Sequence, residues 1–148
     1  MKVLEGYLSK MQATLSDPVQ YHLNFDNTRI DINALIGTKV QFEFLNEIVC
    51  LGCSKSIKKS YNQGYCYVCF RELAINDRCV MSPHLCHFAK GTCREPSWGE
   101  AHCMKPHIVY LAQTSGLKVG ITKPANIPSR WIDQGASRAL AVLEVRTR

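Results

Sequence analysis

Long apolar runs are missing from this 148-residue chain. No stretch approaches the roughly 20 residues that a membrane-spanning helix needs. The opening segment, MKVLEGYLSKMQATLSDP, carries Glu5 and Asp17 and lacks the apolar h-region of a secretory leader. A chain without such a leader is expected to fold in a reducing, cytoplasmic compartment. Internal repeats and low-complexity tracts are also lacking. So are the HExxH helix of zinc hydrolases and the HxE…CxxC arrangement of zinc deaminases. With 46% apolar residues the composition is ordinary for a globular protein and argues against intrinsic disorder.

Against these absences stand eight cysteines and a net charge of +6. In a reducing compartment eight thiols make poor disulfide material and good metal ligands. The charge is unevenly spread: residues 1–50 sum to −2, residues 51–85 to +3 and residues 86–148 to +5. A basic surface on a metal-stapled domain points to a polyanionic partner, DNA or RNA above all. The same balance also fits a solvated basic face.

The pattern of polar and apolar positions predicts an α+β fold in three parts. Residues 1–49 read as a small antiparallel β unit of three or four strands. Tyr21–Phe25 and Arg29–Ile32 flank an Asp26-Asn27 turn, and Lys39–Leu45 alternates so that Val40, Phe42 and Phe44 share a face. Residues 50–105, punctuated by Gly, Pro and Cys, predict only one helical turn, Phe70–Ile75, and so need an external staple. Residues 106–148 predict a strand at His107–Ala112, a turn at Thr114-Ser115-Gly116 and a second strand at Leu117–Thr122. A helix starting near Pro128 and ending at Gly135 follows, and Ala139–Val145 forms the last strand.

Two CxxC pairs, Cys50/Cys53 and Cys66/Cys69, are separated by twelve residues. Each pair turns two thiolates toward one ion, and together they make the four-thiolate shell of a zinc ribbon; the alternative is two reduced pairs or a disulfide pair. A hairpin carrying Gln63-Gly64 can close the spacer. Cys79, Cys86, Cys93 and Cys103 form a second, irregularly spaced quartet, expected to hold a second structural zinc, with His87 or His102 as a substitute for one thiol. His84 and His107 interleave with the same quartet. The spacer between the first knuckles carries Lys55, Lys58, Lys59, Tyr61 and Tyr65, and Tyr67 follows directly. These cations and rings suit phosphates and stacked bases, or else form a hairpin core with solvated lysines.

The run Val109-Tyr110-Leu111, then Lys118-Val119-Gly120-Ile121-Thr122, then Arg130, resembles the GIY-YIG nuclease superfamily over roughly residues 107–148. With its GTCREPSWG and RWIDQGA segments the whole chain looks like an uncharacterised prokaryotic family known only as a domain of unknown function, which joins cysteine-rich zinc segments to a GIY-YIG-like half. The resemblance implies that Tyr110 helps activate water, that Lys118 stands in for the second motif tyrosine and that Arg130 grips the scissile phosphate. A phenol near a basic side chain can accept a proton, and an arginine can hold phosphate bidentately. The bland alternatives are core packing for Tyr110 and a surface ion pair for Arg130. In those nucleases a Glu on a later helix holds one divalent metal, and no such helix follows Glu144 here. Three functions are therefore expected in competition: a zinc-binding, nucleic-acid-directed protein, a metal-dependent endonuclease in a longer form, and a zinc-stabilised protein-interaction adaptor.

Overall fold

The computed structural model describes residues 3–148. By internal contacts the chain divides into two compact units. One contains the chain up to Gln41 together with His107–Val145; the other contains Phe42–Pro106 and Arg146–Arg148. The N-terminal strands and the C-terminal half thus share a unit, and the cysteine-rich region forms its own.

In the first unit, strands β1 (Gln12–Thr14), β2 (Gln20–Phe25) and β3 (Thr28–Asp31) form an antiparallel meander in that order. Its register pairs Gln12 with His22 and Leu23 with Ile30. Asp26 takes the left-handed conformation (φ 47°) that the tight turn requires. The Asn33 amide accepts from Tyr21 N–H and donates to the Val19 carbonyl, both at 2.8 Å, and so holds the start of β2.

The C-terminal half of the same unit builds a second antiparallel sheet from β4 (His107–Gln113), β5 (Leu117–Thr122) and β6 (Arg138–Val145), in the order β5-β4-β6. A helix (Ser129–Asp133) lies between β5 and β6 in sequence and packs against β1; Gly135 follows it at φ 67°. These elements match the expected hairpin, helix and strand. One sheet face buries Tyr110 and Ala112, each 1% exposed. Tyr110 stands opposite Gly120, where any Cβ would come within 2.3 Å of the phenol ring. Glycine is needed there for close approach. The ring meets Trp131 edge to face at 6.0 Å.

The second unit has little regular structure: α1 (Tyr67–Glu72), α2 (Arg78–Met81) and α3 (Pro96–His102), joined by 3-10 turns. The helix Ser129–Asp133 of the first unit is α4 in chain order. The expected helical turn near Phe70–Ile75 appears as α1 followed by the turn Ala74–Asn76. One segment departs from expectation. Lys39–Leu45 is not a strand, and Val40, Phe42 and Phe44 are each more than half exposed. Alternation marks a segment able to pair, but strand structure needs a neighbouring edge to supply hydrogen bonds. Among the described residues this segment has no such ladder. Nor does any described helix reach the length and apolarity needed to cross a membrane.

Candidate metal centre

The first knuckle forms where Val49 bridges Ser56 and the chain turns back on itself. Cys50 N–H donates to the Lys55 carbonyl at 2.9 Å, and Ser54 N–H donates to the Cys50 carbonyl at 2.8 Å. Gly52 is required in the turn, because a Cβ would lie 2.8 Å from Leu73 Cδ1 and 3.0 Å from Cys69 Sγ. The second knuckle is the start of α1. Cys66 caps that helix, its sulfur accepting from Cys69 N–H at 3.4 Å. The spacer closes through a Tyr61–Tyr65 bridge around Asn62 and Gln63, both left-handed.

These turns bring the Sγ atoms of Cys50, Cys53, Cys66 and Cys69 within 4.8 Å of one another. Cys53 and Cys66 stand 3.9 Å apart. Tetrahedral zinc with Zn–S bonds of about 2.3 Å needs sulfur separations of about 3.8 Å. The tetrad can therefore hold a metal ion such as zinc. Cys50 Sγ also accepts backbone N–H groups from Cys66 at 3.2 Å and Gly52 at 3.4 Å, the kind of support that thiolate ligands use.

The acid–base character of the tetrad points the same way. Burial alone pushes the Cys50 thiol up, but backbone N–H groups of Cys66, Cys53 and Gly52, with the Cys53 thiol, bring it down to about 6. Burial, the hydrogen bonds that its S–H donates to the Cys66, Cys50 and Cys53 sulfurs, and the charge on Cys50 push Cys69 up to about 12. The Cys50 anion thus forms readily and repels a second charge on Cys69. A divalent cation at their centre removes that repulsion.

A cation-fringed aromatic ledge adjoins the tetrad. Tyr61 meets Tyr67 edge to face at 5.4 Å and stacks on Phe70 at 5.8 Å. Lys59 Nζ lies 5.2 Å from the Tyr61 ring and the Arg71 guanidinium 5.8 Å from the Tyr67 ring. Arg71 also donates to the Tyr67 hydroxyl at 3.1 Å. Lys55, Lys58, Lys59 and Tyr67 are all exposed.

Sequence reasoning missed the bolt behind this face. Arg94 Nε donates to Asp77 at 2.8 Å, and Arg94 Nη1 donates to the Phe70 carbonyl at 3.2 Å near the end of α1. Glu95 accepts Ala74 N–H at 2.6 Å. Burial raises the Asp77 carboxyl, but Cys79 N–H, Arg94 and His87 together lower it below its ordinary value. The only local signal was an Asp placed to cap a helix, which Asp77 does for α2; its side-chain partners Arg94 and His87 lie far along the chain.

Of the second quartet, Cys79, Cys86 and Cys103 line one cavity with Pro83 and Arg148. Cys93 donates to the Glu95 carbonyl at 3.5 Å. His87 is taken up by Thr92 at 2.8 Å and Asp77 at 3.4 Å, and His102 bonds the Trp98 carbonyl at 3.0 Å while stacking on that ring.

The three residues singled out in the C-terminal half are placed unequally. Tyr110 is buried, and its hydroxyl donates to Gln134 Oε1 at 2.9 Å. Lys118, opposite Ala112, shares a sheet face with Tyr110 but is exposed; Arg130 is exposed on α4.

Residues 37–148, which take in all of this geometry, match the family model described as "Protein of unknown function (DUF2797)". The chain belongs to this family. No curated protein and no solved structure matches it, so the GIY-YIG likeness rests on the sequence motifs alone. The matched segment of this DUF2797 protein contains both cysteine quartets, the aromatic ledge and the whole β5-β4-β6 sheet.

Proposed function

We propose that this DUF2797 protein is a zinc-stabilised, nucleic-acid-binding protein, with zinc in the Cys50/Cys53/Cys66/Cys69 tetrad acting as a structural ion. The observation that carries the reading is the ledge beside the tetrad, where Tyr61, Tyr67 and Phe70 cluster under Lys59 and Arg71. Every base has a π-face, so such rings accept bases of any sequence, while the cations follow the backbone. Lys55 and Lys58 extend the charge along the same hairpin. The net +5 of residues 86–148 adds a favourable long-range field. The ion's role is to hold the ledge in shape, because a closed four-thiolate shell leaves no open position for substrate.

Binding is favoured over cleavage by the state of Tyr110. Its phenol is buried and already bonded to Gln134, which supports a packing role.

Fluorescence anisotropy with single- and double-stranded RNA and DNA, across a salt series, tests the reading. Affinity is expected to be highest at low salt. Lys58→Ala/Lys59→Ala is expected to reduce the slope of log K against log salt by up to about 0.7–0.9 per lost phosphate contact. Tyr67→Ala is expected to cost about 1–3 kcal/mol of binding, the range for one stacked base. Absence of binding at low salt, or unchanged affinity in both variants, overturns it. A defined protein that co-purifies through nuclease treatment and high salt would then favour the adaptor role.

A further inference from the structure

We infer that the cysteine-rich unit carries a second tetrahedral metal site, built from Cys79, Cys86 and Cys103 with Cys93 as the closing ligand. The inference is independent of the nucleic-acid reading, since it concerns only how the unit is held together.

Three separate segments converge on this point. Cys79 lies on α2, Cys86 follows the 3-10 turn Pro83–Leu85, and Cys103 terminates α3. These residues line a cavity of about 10 Å³, room for a single small sphere. The chain between Cys86 and Cys103 consists of loops and short helical turns, tied back to the rest of the unit through the Arg94–Asp77 and Glu95–Ala74 contacts. Pro83 and Arg148 complete the lining, and Arg148 N–H donates to the Cys103 carbonyl at 2.9 Å. A cationic residue beside the centre offsets the negative charge that a shell of thiolates leaves on a divalent ion.

The fourth ligand is narrowed by what the neighbours already do. His87 has both ring nitrogens engaged, by Thr92 and Asp77, while His102 bonds the Trp98 carbonyl through Nδ1 and stacks its ring on Trp98. Cys93 has a 3.5 Å contact to the Glu95 carbonyl, a weak one for a thiol donor. Its sulfur lies 3.2 Å from where a Gly99 Cβ would stand, and the Gly99 carbonyl accepts Cys103 N–H at 2.7 Å. Cys93 thus sits against the same turn of α3 that delivers Cys103.

A rival grouping, Asp77 with Cys79 and His87, places its ligand atoms within 4.8 Å of one another, as no three thiols of the quartet do among the described residues, so the ion has to draw those sulfurs together. Asp77 is the carboxylate that Arg94 clamps at 2.8 Å, and a cation there would have to displace a guanidinium. The all-thiol site carries no such cost. It also explains why a thiol as open as Cys86 is held beside a small cavity. Soft thiolates select zinc over harder divalent ions.

Native mass spectrometry of the full chain loaded with zinc alone reads the stoichiometry. Two ions per chain are expected, falling to one in Cys79→Ser and Cys103→Ser. One ion in the parent chain, or two in both variants, overturns the site. Because either variant can unfold the unit, maleimide labelling of the unsubstituted, zinc-loaded chain provides an independent reading. Cys86, exposed as it is, is expected to resist labelling until a chelator is added; immediate labelling overturns the site. Cys93→Ser is expected to lower zinc affinity at this site more than tenfold, since loss of supporting partners alone costs about 10–100-fold. Unchanged affinity removes Cys93 from the ligand set and overturns the site as drawn.

Discussion

Tyr110 in the sheet unit and Cys50 in the cysteine-rich unit are each 1% exposed, yet the two residues anchor their units by different physics. Around Tyr110 the chain runs through paired strands, with a ring packed on Gly120 and against Trp131. Around Cys50 there are only knuckles, a six-residue helix and 3-10 turns. The buried apolar residues of that second unit are Cys50, Ala74 and Cys103. Two of these three are metal-ligand candidates, so the core of the unit is largely its thiols. A segment with so little apolar area to bury cannot offset its conformational entropy by packing. Ligand bonds must take over.

The comparison breaks most visibly on metal removal. Apparent binding energies of structural zinc are on the order of 10 kcal/mol, comparable to or above the whole stability of a small unit. A chelator is expected to make residues 42–106 protease-sensitive while the β4–β6 sheet stays resistant, read by mass mapping of the fragments. If both units unravel together, the sheet unit depends on metal and the contrast is wrong.

A smaller effect comes from the sheet side. Gly120→Ala places a methyl group 2.3 Å from the Tyr110 ring, and overpacking of a tight contact costs about 1–3 kcal/mol or more. The thermal unfolding midpoint should fall accordingly, while zinc stoichiometry stays unchanged. Tyr110→Phe removes one hydrogen bond and leaves Gln134 Oε1 without its donor, a loss of about 1–3 kcal/mol. Should that variant keep full stability but lose a nuclease activity, Tyr110 is catalytic rather than structural.

The two units also differ in how far they could be read without coordinates. Cys50, Cys53, Cys66 and Cys69 were legible because a two-residue spacing leaves a knuckle few other conformations. The β4-β5-α4-β6 order was legible because strand-like runs alternate with breakers at Gly116 and Gly135. Gln12–Thr14 is too short to show a period, and it became a strand only by pairing with Gln20, Tyr21 and His22 of β2. Val40, Phe42 and Phe44 show a clear period, yet no edge among the described residues receives them. The Asp77–Arg94 and Ala74–Glu95 contacts join residues 17 and 21 positions apart. No local pattern encodes such pairs, because their partner is chosen by the path of the chain.

The smallest effect tests whether the sheet unit is held by packing alone. Lys10 and Asp133 form an ion pair between the N-terminal segment just before β1 and the end of α4, and the Lys10 side chain is 79% exposed. Pairs so open to solvent lose most of their Coulomb energy to screening and to the ordering of a long side chain. A double-mutant cycle with Lys10→Ala and Asp133→Asn is therefore expected to give a coupling below about 0.5 kcal/mol, vanishing in high salt. A coupling well above about 1 kcal/mol that survives salt would exceed the range for exposed pairs. Charge, and not the packing of α4 on β1, would then close this unit. The difference between the two units would then lie in which kind of electrostatic tie each one uses.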